Sequence, residues 1–85
     1  MKQFAYVITD PVGIHARPAG MLVKEAKQFS SKIMLQKGEK SADATRMMSV
    51  MGLGVKCGDT LSVSIEGADE DAAAGAMQAF FQANL

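Results

Sequence analysis

A histidine and an arginine lie one residue apart in the segment Gly13-Ile14-His15-Ala16-Arg17-Pro18, and His15 is the only histidine of the chain. An imidazole changes charge near neutral pH, and its neutral nitrogen can attack phosphorus and later act as a leaving group. Arg17 adds a guanidinium whose fixed fork of donors matches phosphate oxygens. Pro18 suits the first turn of a helix, where its missing N–H removes no intrahelical bond. The residue before a proline is steered away from the α region, so the helix start stays open by a residue or two around Arg17. A helix beginning here places unpaired backbone N–H groups and the positive helix end beside His15, which suits an anion. The pattern fits a reversible phosphoryl carrier. A histidine that merely caps the helix or sits on the surface explains the same residues, and this pattern alone leaves both readings open. A metal site is disfavoured, because no second histidine, cysteine pair or carboxylate cluster lies at ligand spacing. A hydrolase would need a base or triad partner that the sequence does not supply.

The elements that must position His15 follow from periodicity. Phe4, Tyr6 and Ile8 alternate with Ala5 and Val7, predicting a strand that Asp10-Pro11 and Gly13 end. Ala19, Leu22, Val23, Ala26 and Phe29 then follow helical spacing, with Arg17, Met21, Lys24 and Lys27 on the other side. Ile33 and Leu35 predict a second strand, Lys37-Gly38-Glu39-Lys40 a turn, and Ser41 to Ala44 the returning arm of a hairpin. Arg46 to Leu53 is expected to form a short helix, with Thr45 as its N-cap and Gly54 as its stop. Leu61, Val63 and Ile65 predict a strand with one buried face, which Gly67 ends. Asp69, Glu70 and Asp71 suit the start of a last helix. Its apolar stripe is Ala73, Ala76, Met77 and Phe80, extended by Leu85, with Gly75 a local cost. The order strand, helix, strand, strand, helix, strand, helix indicates an α+β two-layer sandwich with a mainly antiparallel sheet covered on one side.

With 85 residues, 48% hydrophobic and 21% charged, the chain is expected to form one domain over residues 1–85, with no room for a separate cofactor-binding unit. Nine basic and nine acidic side chains cancel, which leaves no global electrostatic footprint for nucleic acid or an anionic membrane. Cys57 is the only cysteine. It excludes an internal disulfide, fits a reducing compartment and is read as structurally incidental. Asp10-Pro11 interrupts the first apolar stretch before a secretory segment could form, and no run approaches the roughly 18 apolar residues of a membrane span. A cytoplasmic location is the expectation.

GIHARPAG at residues 13–20 and MMSVMGLGV at residues 47–55 closely resemble the HPr family, the histidine-containing phosphocarriers of the bacterial phosphotransferase system, and the resemblance runs over essentially the full length. It implies an open-faced sandwich of order βαββαβα, a four-stranded antiparallel sheet with three helices on one face. It also implies that His15 accepts a phosphoryl group on Nδ1 from enzyme I, charged by phosphoenolpyruvate, and passes it to a sugar-specific enzyme IIA. Arg17 and the backbone amides of Ala16 and Arg17 would hold the group, with no metal or organic cofactor. Met47, Met48 and Met51, together with Met21, would contact partners through flexible thioethers. Lys24 and Lys27 would steer acidic partner surfaces, and a monomer is expected. Many HPr proteins of low-GC Gram-positive bacteria carry a kinase-modified serine just before the Met-rich helix; the corresponding residue here is Arg46, which puts that regulation in doubt. Alternative assignments are a paralogous carrier or a docking module in a nitrogen-regulatory or other relay.

Overall fold

A computed structural model describes residues 1–85 of the chain. The elements run β1 (Lys2–Val7), α1 (Ala16–Ala26), β2 (Lys32–Lys37), β3 (Lys40–Asp43), α2 (Met47–Gly52), β4 (Thr60–Glu66) and α3 (Glu70–Asn84). The strands form one sheet in the order β1-β4-β2-β3, and every neighbouring pair is antiparallel. This is the expected α+β sandwich, with helices on one face and the other face open.

Strand register explains why only one face is covered. Phe4 and Leu35 both stand opposite Val63, Tyr6 opposite Leu61, and Ile33 opposite Ile65. Side chains alternate along a strand, so these pairs stack into rows on a single face. Ser62 pairs with Ala5 and Gln36, and Ser64 with Gln3 and Met34, on the opposite face. The inner rows join Leu22, Val23 and Ala26 of α1, Val50 of α2, and Ala73, Met77 and Phe81 of α3 in one buried cluster.

Three local expectations change. Phe81, not Phe80, is the buried aromatic of α3; its ring meets Phe4 at 5.8 Å and Tyr6 at 5.5 Å, both edge-on. Ala73, Met77, Phe81 and Leu85 form the ridge at four-residue steps, while Ala76 and Phe80 lie at its margin, only partly buried. Edge-to-face packing against β1 selects between two adjacent phenylalanines, and one helix's periodicity cannot. Phe29 lies beyond the end of α1 at Ala26, in a turn where its N–H reaches the Ala26 carbonyl at 3.3 Å, and it packs against the core from there. Thr45 does not cap α2. Its N–H and hydroxyl both donate to Asp43 Oδ1, at 2.9 and 2.6 Å, and Arg46 takes the cap position without a side-chain bond. The Thr45 hydroxyl and N–H, in that order, hold the Asp43 carboxyl below its ordinary pKa despite partial desolvation.

Asp69 precedes α3 but likewise makes no side-chain cap bond. Its carboxylate reaches across to the α1–β2 connection, accepting the Ser31 hydroxyl and the N–H groups of Ser30 and Ser31, each N–H at 2.9 Å. Gly67 is needed beside this latch, because a Cβ there would sit 2.6 Å from Ser31 Cα. The Ser31 hydroxyl first, then the Ser30 N–H, lowers the Asp69 pKa. A depressed carboxylate pKa contributes stability that is complete above the unfolded value of about 3.9 and is lost as pH falls through the folded value. Asp69→Asn is therefore expected to lower Tm near pH 7, with the deficit relative to wild type shrinking as the pH approaches about 3. Calorimetry across that range checks it, and a pH-independent deficit would contradict the latch.

Candidate functional site

The His15 loop is held from below by backbone packing. Gly13 adopts φ +79°, in the left-handed region, where a side chain is strained. A Cβ at Gly13 would also collide with the Val55 carbonyl oxygen and lie 2.6 Å from Lys56 Cα. The next residue, Ile14, donates its N–H to that same Val55 carbonyl at 3.1 Å and buries its side chain. The connection between α2 and β4 is thus the floor on which the histidine loop rests.

That floor is itself braced. Lys37, at the end of β2, donates its ammonium to the Gly54 carbonyl at 2.8 Å and pairs with Asp59 Oδ2 at 3.0 Å. Asp59 Oδ2 also accepts the Lys56 N–H at 2.8 Å. The Lys56 N–H, followed by Lys37, lowers the Asp59 pKa. Lys37 reads from sequence as a turn residue, and only the fold reveals its reach across seventeen positions to Gly54.

His15 occupies the N-cap position of α1, extended at φ −112° and ψ −173°, and its carbonyl accepts the first helical bond from the Ala19 N–H at 2.9 Å. No side chain caps the helix. The N–H groups of Ala16 and Arg17 have no acceptor within the chain, and Pro18 has no N–H to offer. The first turn contains no acidic residue that would neutralise the positive helix end. Arg17 is exposed and takes part in none of the ion pairs, which are Met1–Glu70, Lys2–Asp71 and Lys37–Asp59. One side chain with a nucleophilic nitrogen, two open amides and one free guanidinium therefore meet at a single helix end. Such a site can take a tetrahedral anion at the imidazole and hold its oxygens with donors already in place.

His15, Arg17, Pro18 and Met21 line an open depression of ≈ 280 Å³ together with Asp10, Ala83 and Asn84. Sequence reading picked out His15, Arg17 and Met21 but not Asp10 or Asn84, because their proximity arises from the packing of α3 beside the loop. Thr9 and Asp10 donate their N–H groups to the Leu85 backbone oxygen at 2.6 and 2.8 Å, which holds the residue that follows α3 against the segment that follows β1. The other expected contact residues do not line the depression. Met48 is 81% and Met51 38% exposed. Met47 is half-buried, with its methyl group next to Gly20 of α1. Lys24 is exposed in the last turn of α1, and Lys27 is exposed just past it. No helix is long and apolar enough to cross a membrane.

An open-faced βαββαβα sandwich with a histidine at an uncapped helix start defines a histidine phosphocarrier architecture. The family model described as "PTS HPr component phosphorylation site" matches residues 2–83. The phosphocarrier protein HPr of Mycoplasma capricolum is 41% identical over 78 residues, covering 92% of this chain and 88% of that protein. The crystal structure of HPr-C-His from Thermoanaerobacter tengcongensis superposes with a TM-score of 0.93 at 37% identity, covering 98% and 93% of the two chains. The crystal structure of an HPr dimer from the same organism has a TM-score of 0.78 at 37% identity, covering 98% and 95%. The chain belongs to the HPr family of phosphotransferase-system phosphocarriers.

The Gly13 contact gives a direct test of the floor. Gly13→Ala combines left-handed strain with a backbone collision, and is expected to destabilise the fold by about 3 kcal/mol. Urea unfolding measures it; a loss within about 0.5 kcal/mol would contradict the packing described.

Proposed function

We propose that the phosphoryl group is carried on His15, taken from phosphorylated enzyme I and delivered to a sugar-specific enzyme IIA. The observation that carries this reading is the convergence of the His15 ring, the free Ala16 and Arg17 amides and the Arg17 guanidinium at one uncapped helix end. In loading, a neutral ring nitrogen, Nδ1 in this assignment, attacks phosphorus while the bond to the donor breaks and the donor keeps its electron pair. The open amides and Arg17 hold the phosphoryl oxygens through charge-assisted hydrogen bonds. In discharge the new N–P bond breaks, its electron pair returns to the imidazole, and the acceptor binds the phosphoryl group. Each step is a transfer between nucleophiles and needs no redox partner.

Exposed Met21 beside His15 and exposed Met48 and Met51 on α2 offer adaptable apolar contact, and Arg17, Lys24 and Lys27 add a basic side to α1. Met47 contributes from a half-buried position that also anchors α2 to α1. In this reading the protein acts as a monomer in the cytoplasm. Arg46 is exposed and carries no hydroxyl, so this reading includes no serine switch at that position.

Incubation with enzyme I, Mg²⁺ and phosphoenolpyruvate is expected to give a stoichiometric, acid-labile phosphoryl adduct that His15→Ala abolishes. Arg17→Ala should load about 10²-fold more slowly. Rapid-quench mass measurement checks both, and a wild-type protein that gains no adduct from a competent enzyme I would overturn the assignment.

A further inference from the structure

Asp10 has no part in the carrier reading, yet it is one of the residues that line the His15 depression. Its backbone is fixed on both sides: the N–H donates to the Leu85 oxygen at 2.8 Å, and the carbonyl accepts the Gly13 N–H at 3.0 Å. Its Oδ1 accepts the Val12 N–H at 2.9 Å. Oδ2 has no partner within the chain, and Asp10 is absent from all three ion pairs. A carboxylate with no ion-pair partner thus lies in the same depression as a helix end that suits anions.

Among the residues lining the depression, Asp10 is the sole carboxylate and Arg17 the sole permanent cation; α3 contributes the neutral Ala83 and Asn84. Arg17 and the open amides draw a phosphoryl group in, whereas Asp10 repels it. The repulsion acts while the group is bound and vanishes once it has left.

We propose that Asp10 keeps the phosphoryl group of the loaded carrier transferable, by placing a fixed negative charge beside it that disfavours phosphohistidine relative to free histidine. The proposal rests on His15 being the carrier residue. In discharge the N–P bond at His15 breaks with its electron pair returning to the ring nitrogen, and phosphorus bonds to the acceptor's nucleophile; Asp10 gains and loses no proton or bond. Its influence is purely electrostatic, so it weakens as added salt screens the depression.

Asp10→Asn and Asp10→Ser both remove the charge while retaining an oxygen that can accept the Val12 N–H, so the turn survives. Wild type and both variants are equilibrated with enzyme I and Mg²⁺ at a fixed ratio of phosphoenolpyruvate to pyruvate, at low and high ionic strength. At low salt the ratio of phosphorylated to free protein is expected to rise about three- to tenfold in both variants, and the difference should shrink at high salt. Equal ratios in wild type and variants would overturn the proposal. So would a change confined to one variant, or one insensitive to salt, since either marks a structural effect of the turn. A wild-type protein that does not load at all overturns the carrier reading and this inference together, whereas a loaded wild type with unchanged variants overturns this inference alone.

Discussion

Gly13 rests against the backbone of Val55 and Lys56 at a distance that excludes any side chain, and the Val55 carbonyl takes the Ile14 N–H at 3.1 Å. This contact ties the loop before α1 to the connection between α2 and β4, segments more than forty residues apart. Everything chemically relevant depends on that approach. It fixes where the loop turns upward, hence where His15 enters the first position before α1 and which way the first turn points. Lys37 and Asp59 hold the lower side of the same contact, so the sheet positions the histidine through a short series of polar and backbone contacts.

The start of α1 shows stability exchanged for a binding capacity. A serine, threonine or aspartate at the cap would satisfy one orphan amide and typically stabilise a helix by about 1 kcal/mol. Here the cap is His15, no side chain bonds the amides of Ala16 and Arg17, and no acid occupies the first turn. Those donors remain available to an incoming anion, with the helix dipole unopposed inside the turn. Asp69 follows a different logic at α3: it leaves its own helix uncapped and spends its carboxylate on Ser30 and Ser31. At α1 the missing cap bond exposes donors for chemistry, and at α3 it joins two segments of the fold.

The element order and the inner face of the sheet were legible because their signals are local: alternation at Leu61, Val63 and Ile65, helical spacing from Ala19 to Ala26, and Gly54 as a stop with φ +64°. The chemical pair His15 and Arg17 was legible for the same reason, since both lie within one helical turn beside Pro18. What the sequence hid is long-range. Choosing Phe81 over Phe80 needed the rings of Phe4 and Tyr6. Thr45 looked like a cap until Asp43, two residues before it at the end of β3, took both of its donors. Asp10, Lys37 and Asn84 carry no motif, and their relation to His15 exists only after α3, the hairpin and the loops have packed.

The fold leaves two amides, those of Ala16 and Arg17, unpaired at the helix start beside His15, where they can receive phosphoryl oxygens. Amide proton and nitrogen chemical shifts recorded before and after enzyme I loads the protein test this most directly. Hydrogen bonds to a phosphoryl group should move the Ala16 and Arg17 amide protons strongly downfield, while amides of the sheet stay nearly unchanged. Phosphorylation at His15 that leaves those two amides in place would contradict the account.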